Sequence, residues 1–320
     1  MAVSRPDTPE SPVEFTFPSA TGTGDIYARA FLPKDPPAAV LVIHHGMAEH
    51  QERYLPFLRF LNGHGIAAYI HDMAGHGKSV HGSSSTGWFG EKDGWKALTA
   101  DFHTLVLRAA DDFPGVPLFV MGHSMGSFIC RAFCAMYPLE NVRGAIFMGT
   151  GGPNAAAAAG KAVASLLSGL MGKHHRSRLM EKMAFGTYNR RFEGRTSFDW
   201  LTRDTSVVDR YIADPNCGFL FTVQGMHDLV SVNEYVNSPE WFRKIPAGLP
   251  ILLVSGAEDP VGDYGAGVRK VSEMLLSTGH TRTELVLWPE ARHEVLNELS
   301  RAQVMDGLLS WLEACLSGKG

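Results

Sequence analysis

Apolar positions change their spacing along this chain in a regular order. In "VEFTFPS" apolar and polar residues alternate, in "AAVLVIHHG" the apolar run is unbroken, and in "RYLPFLRFLNGHG" apolar residues return at intervals of three and four. These patterns belong, in turn, to a strand covered on one face, a strand buried on both faces and an amphipathic helix. The change from unbroken run to helical spacing then repeats. "IAAYIHDMAGHG" precedes "GWKALTADFHTLVLRAADDF", and "VPLFVMGHS" precedes "GSFICRAFCAMYP". "VRGAIFMGTG" follows, and much later come "PILLVSGAEDP", "TELVLWPEARHE" and the amphipathic "VMDGLLSWLEACL". At the start, "VEFTFPS" and "DIYARAFLP" are separated by Thr and Gly turn residues and read as an antiparallel pair. Strands alternating with helices in this way predict an α/β fold, a mostly parallel eight-stranded sheet with helices on both faces.

The alternation fails over residues 153–246. That stretch opens with "AAAAAGKAVASLLSGLMG", continues through "GKHHRSRLMEKMAFGTYNRRFEGRTSFDWLTRD", and holds several helical patterns but no clear strand. It reads as a helical cap inserted over the strand ends, dividing the core into residues 13–152 and 247–320. Residues 1–12, with Pro6, Pro9 and Pro12, read as disordered.

Composition narrows the picture. With 45% hydrophobic and 19% charged residues over 320 positions, the chain can bury a sizeable core. A net charge of −4 with no long basic run gives no electrostatic case for nucleic acid. The N-terminus lacks the apolar region of a secretory signal, and the apolar window nearest to a membrane span is interrupted by Lys161 and rich in Ala and Gly. Cys130, Cys134, Cys217 and Cys315 form no C-x-x-C pair. The expectation is a soluble, cytoplasmic protein without disulfides, in which Cys130 and Cys134 fill core space.

Chemistry enters at Gly122-His123-Ser124-Met125-Gly126. In a chain with 34 glycines a G-x-S-x-G can arise by chance, so its surroundings decide its meaning. Here it joins a strand expected at 116–122 to a helix expected at 127–136. A turn this tight forces its middle residue into an unfavourable backbone conformation. It also brings strand and helix so close that only glycine fits two positions to either side, and it presents the serine above the sheet at a helix N-terminus. A serine hydroxyl is a poor nucleophile until a base takes its proton, so a histidine and a carboxylate are required. In folds of this order the acid follows a later strand and the histidine the last one. "ILLVSGAEDP" supplies Asp259, preferred to Glu258 and Asp263, and "LVLWPEARHE" supplies His293. An oxyanion needs preorganised donors. The N–H of Met125 is one candidate, and the N–H of Met47, after Gly46, is the other.

"HHGMAEHQERY", "DMAGHGKS", "GHSMG", "GAEDPVG" and "RHEVLNE" resemble the α/β-hydrolase superfamily, and most closely its monoacylglycerol lipase and lysophospholipase branch, sometimes grouped with serine aminopeptidases. The resemblance spans about residues 40–312 and is weak in the cap. It implies Ser124 as nucleophile, Asp259 and His293 as its partners, Met47 and Met125 as oxyanion donors, and Glu49, His50 and Arg53 as supports of the oxyanion loop. It implies a serine hydrolase that cleaves single-chain lipid esters through an acyl-enzyme, with no cofactor or metal. Met47 departs from the small residue that relatives often carry, and would narrow the pocket mouth.

The cap stripe Leu166, Leu167, Leu170 and Met171 is expected either to pack the cap or to touch an acyl chain, and is assigned here to substrate binding, with transient membrane-surface contact. "GHGKS" lacks the first glycine of a phosphate-binding loop, since Asp72 stands there, and reads as a surface turn. His44, His45, His71 and His76 match no metal-ligand spacing and read as packing residues. His174, His175, Arg176 and Arg178 read as a solvated cap face. A short-chain carboxylesterase or an aminopeptidase would use the same three residues. A non-catalytic binding protein on the same fold is the reading from another class, and the full set of three argues against it.

Overall fold

The computed structural model describes residues 12–318. The Pro-rich segment is thus, apart from Pro12, outside the described residues. Eight strands form one sheet: β1 (Val13–Pro18), β2 (Asp25–Phe31), β3 (Ala39–His44), β4 (Ile66–His71), β5 (Leu118–His123), β6 (Val142–Met148), β7 (Ile251–Gly256) and β8 (Thr283–Trp288). Their order is β1-β2-β4-β3-β5-β6-β7-β8. β2 pairs antiparallel with β1 and β4, and the other pairings are parallel. The fold is the α/β architecture expected from the hydrophobic pattern.

The unbroken apolar runs are buried on both faces because alternate residues enter different cores. Val40 and Val42 of β3, Leu118 and Val120 of β5, and Ile251 and Leu253 of β7 meet α2 (Gly94–Asp112), α3 (Met125–Met136) and α9 (Ala266–Ser277). Leu41, Ile43, Phe119, Met121, Leu252 and Val254 face the other way, against α1 (Leu55–Gly63) and α10 (Arg301–Leu316). Burying each such side chain stabilises the fold by about 1.5–3 kcal/mol before entropy is counted. The outer strand β1 keeps the alternating exposure of a sheet with one covered face.

Between β6 and β7 lie α4 (Ala157–Met171), α5 (Arg178–Phe185), a 3-10 turn at Tyr188–Arg191, α6 (Thr205–Ala213), α7 (Val223–Val236) and α8 (Pro239–Lys244), with no strand. Ser177, Asp204, Thr222 and Ser238 cap four of these helices through their side chains. The insertion is not uniform. α7 packs on α2 and α3, and Trp241 and Phe242 of α8 are buried in the core. No helix among the described residues is long and apolar enough to cross a membrane.

Candidate active site

β5 ends at His123 and α3 begins at Met125, so the helix starts two residues before the expected 127. Ser124 is the single residue of the turn, at φ 55° and ψ −124°. Such a conformation costs of order 1–3 kcal/mol and persists only where neighbours hold it. They do: Ser124 N–H donates to Met148 O at 2.9 Å, and Ser127 Oγ donates to Ser124 O at 2.6 Å. The flanking glycines are sterically obligatory, since a Cβ on Gly122 would collide with the Gly126 carbonyl and one on Gly126 with the carbonyls of His44 and His45.

Asp259 follows β7 and is fully buried, whereas Glu258 and Asp263 are exposed. His293 lies in the loop after β8, and its Nδ1 sits 3.0 Å from each Asp259 oxygen. The carboxylate also accepts the Val261 N–H at 2.8 Å and the Ser255 hydroxyl at 3.0 Å. Burial by itself pushes Asp259 upward, but the His293 ring and these donors outweigh it and hold the carboxyl below its ordinary range. The His293 ring centroid is 4.7 Å from that of His123, the residue next to Ser124. Gly149, at φ 57°, leaves room for both rings, because a Cβ there would stand 3.1 Å from His293 Cε1 and 3.2 Å from His123 Nε2. Trp200, from the insertion, also packs on His293, with ring centroids 5.1 Å apart.

The loop after β3 passes close to the serine, and a Cβ on Gly46 would lie 3.1 Å from Ser124 Cβ. Gly46 N–H donates to Glu49 Oε1 at 2.7 Å. Met47 N–H makes no hydrogen bond among the described residues, and Met125 N–H, at the first position of α3, has no carbonyl within its helix to reach. Beside the serine turn, these two amides are thus without a hydrogen bond among the described residues.

Beneath them runs a buried network of alternating charge. Glu49 accepts from Arg53 at 2.6 Å and from Tyr54 at 2.9 Å, and Arg53 grips both oxygens of Glu294 at 2.6 Å. Burial opposes the Glu49 charge, yet Arg53 and His123 hold its carboxyl well below the usual range. His123 faces an acceptor at each nitrogen, Glu49 Oε1 and His293 O, both at 3.3 Å. Burial pushes its pKa down, and these partners with Glu294 more than reverse that, so it is raised. A small cavity of about 10 Å³ borders Glu49, Arg53, His123 and Glu294.

His44, His45, His71 and His76 form a buried cluster of contacting rings. His45 Nδ1–H donates to Gly46 O at 2.8 Å while its Nε2 accepts Met73 N–H at 3.0 Å. His44 and His71 are fully buried neighbours, 4.8 Å apart by ring centroid, and burial drives His44 down to about 3. "GHGKS" is not a surface turn: His76 and Ser79 are buried, and the Asp72 carboxylate accepts the N–H groups of Gln51 and Lys78, both at 2.9 Å. Of the face expected to be solvated, His174 and Arg178 are exposed, whereas Arg176 is half-buried and donates to the carbonyls of Thr86 and Leu220, tying the insertion down. Cys130 and Cys134 are buried free thiols.

The cap stripe divides. Leu167 packs on the core, while Leu166, Leu170 and Met171 are 62%, 74% and 56% exposed. The face of α4 turned toward α7 carries small residues instead, Ala164 and Ser168 among them, and borders a cavity of about 510 Å³. Among the described residues, His50, Asp214 and Cys217 are the one group whose donor atoms suit a metal, lying within 4.8 Å of one another. His50 and Asp214 already hydrogen-bond at 2.9 Å, and burial raises the Cys217 pKa, keeping its thiol protonated.

Residues 35–300 match the family model described as serine aminopeptidase, S33. A monoacylglycerol lipase of Mycolicibacterium smegmatis is 30% identical over 303 residues, 93% of this chain and 96% of the relative. A thermostable carboxyl esterase of Bacillus coagulans, solved with glycerol, superposes with a TM-score of 0.89 at 30% identity, covering 96% of this chain and 99% of that one. A soluble variant of monoglyceride lipase from Saccharomyces cerevisiae, solved with a substrate analog, gives a TM-score of 0.71 at 19% identity over 91% of this chain and 92% of that one, a likeness of fold.

Proposed function

Because the chain belongs to the serine aminopeptidase S33 family of α/β-hydrolases, we propose that it hydrolyses carboxylic esters of monoacylglycerol type, with Ser124, His293 and Asp259 as catalytic triad. One observation carries the assignment of residues: a buried Asp259–His293 pair packed against the turn that strains Ser124. Ser124 Oγ attacks the ester carbonyl carbon as its proton passes to His293. Asp259, at Nδ1, fixes the tautomer and stabilises the imidazolium. The tetrahedral oxyanion accepts hydrogen bonds from the N–H groups of Met47 and Met125. Its collapse expels the alcohol, protonated by His293, and leaves an acyl-serine. His293 then deprotonates a water that attacks this ester, releasing the acid and restoring the serine.

The lipase name of the Mycolicibacterium relative supports a monoacylglycerol as substrate. Leu166, Leu170 and Met171 fit contact with a lipid surface better than a place in a dry acyl pocket, so transient contact of α4 with lipid is part of the proposal. Leu167 remains the member of the stripe proposed to approach the acyl chain. A cytoplasmic site of action is proposed from the four unpaired cysteines. The test is a hydrolysis screen with 1-monooleoylglycerol, trioleoylglycerol, p-nitrophenyl acetate and alanine p-nitroanilide. Turnover strongest on the monoacylglycerol supports the proposal; preference for the anilide would make the enzyme an aminopeptidase.

A further inference from the structure

The Ala48 carbonyl, one residue beyond Met47, is held from the insertion. Tyr211 Oη on α6 donates to it at 3.0 Å, and Gly218 N–H donates to it at 2.9 Å. Ala48 N–H in turn donates to His76 Nε2 at 3.1 Å. Ala48 stands at φ 50°, a left-handed conformation that alanine does not favour, so its peptide requires outside support. The same stretch of the insertion also holds the loop two residues further on, where Asp214 Oδ2 lies 2.9 Å from His50 Nε2. The Tyr211 ring is buried and lies 4.8 Å from the Arg53 guanidinium. On the other side of Met47, Gly46 is fixed at both ends, its N–H by Glu49 and its C=O by His45. Met47 N–H is thus the one N–H from Gly46 to Ala48 without a hydrogen bond among the described residues; its own peptide is held at the Gly46 carbonyl by His45, and the two peptides that follow are held at the Ala48 N–H by His76 and at the Ala48 carbonyl by Tyr211 and Gly218.

We propose that Tyr211, helped by Gly218 and Asp214, is a positioning residue that sets the Met47 N–H for the oxyanion, so that the insertion completes the hydrolytic site as well as covering it. The inference rests on reading Met47 as an oxyanion donor. A donor acts only when its amide stands where charge develops, and a peptide free to rotate would lose that alignment. Positioning of this kind favours the transition state over bound substrate, so its loss lowers kcat while leaving KM in place.

Tyr211→Phe removes the hydroxyl and keeps the ring beside Arg53. Expected is a fall in kcat of about tenfold, less than the roughly 100-fold for losing a donor outright, equal for p-nitrophenyl acetate and p-nitrophenyl octanoate. KM should stay within about twofold of wild type. A trifluoromethyl ketone, whose serine adduct carries the oxyanion, should bind more weakly by the factor that kcat/KM loses, while an unreactive alcohol analogue binds as before. Unchanged kcat, a change in KM alone, or a loss that grows with chain length would overturn the proposal, the last by making Tyr211 a pocket wall. Should Tyr211→Phe melt below the assay temperature, Asp214→Asn replaces it. There a smaller fall in kcat at constant KM supports the proposal, and no fall overturns it. Failure of the catalytic assignment itself would look different, as wild-type enzyme that a fluorophosphonate probe does not label at Ser124.

Discussion

The inner and outer parts of the insertion are built to different standards. Residues 193–218 are stapled to the loops that carry the site. Arg292 reaches Glu193 at 2.8 Å and the Asp199 carbonyl at 2.6 Å, Arg203 reaches Glu298 at 3.0 Å, and Glu294 N–H donates to Leu201 O at 2.7 Å. α4 and α5 instead present Leu166, Leu170, Met171, Leu179 and Met183 to solvent. Apart from Arg176, which joins the segment between them to the Thr86 and Leu220 carbonyls, their ion pairs, Lys161 with Glu234 and, just beyond α4, Lys173 with Glu91, lie near the surface, where such a pair contributes about 0–1 kcal/mol. Buried polar partners suit the proton path and oxyanion proposed for this region. An exposed apolar face suits the contact with an aggregated substrate proposed for α4. Substitutions in the two regions should therefore fail differently.

The largest effect belongs to the site beneath the inner region. His293→Gln should lower kcat by about 10³-fold or more, as expected for a triad member, with chain length making no difference. Appreciable turnover in a folded variant would remove His293 as base. Next comes the charge network. Arg53→Met leaves the Glu49 and Glu294 carboxylates buried without their cation, and breaking such a group costs about 3–5 kcal/mol. A melting temperature within a degree of wild type would show that water reaches these groups and that the inner region is no more rigid than the outer.

The site also titrates in two directions. The Asp259 pKa is depressed in the folded protein, so its contribution is present above the unfolded value of about 3.9 and is lost as pH falls through the folded value. The His123 pKa is raised, so its contribution is complete below about 6.5 and is lost as pH rises through the folded value. Denaturant unfolding of wild type and His123→Gln should thus differ most near pH 6 and converge in alkali. An equal difference at both ends would contradict an imidazolium between Glu49 and His293. The smallest effect belongs to the outer region. Leu170→Glu should change stability by less than about 0.5 kcal/mol and leave p-nitrophenyl acetate hydrolysis alone, while lowering activity on dispersed monooleoylglycerol. Equal loss on both substrates would make α4 part of the site.

The same contrast explains what could be read from the sequence. Buried parallel strands announce themselves as unbroken apolar runs, and the order of elements then locates an acid and a histidine that lie 34 residues apart in the chain. Gly122 and Gly126 were legible because only glycine fits where backbones touch. The stripe on α4 was legible as a stripe but not in its surroundings, because an apolar period shows that a face is special and not what it faces: Leu167 packs on the core, Leu166, Leu170 and Met171 are exposed, and the side toward α7 carries small and polar residues. Tyr211, Trp200 and Gly149 were not legible, since their roles depend on contacts between segments distant in sequence. The capping residues Ser177, Asp204, Thr222 and Ser238 were a local signal that could have resolved the insertion into its helices.

The central claim is that Ser124 is the nucleophile, activated through His293. It is tested most directly by reacting wild type and Asp259→Asn with a fluorophosphonate probe and mapping the modified residue by peptide mass spectrometry. Expected is one adduct, on Ser124, formed rapidly in wild type and orders of magnitude more slowly in the variant. An adduct on any other residue, or equal labelling rates in the two proteins, would contradict it.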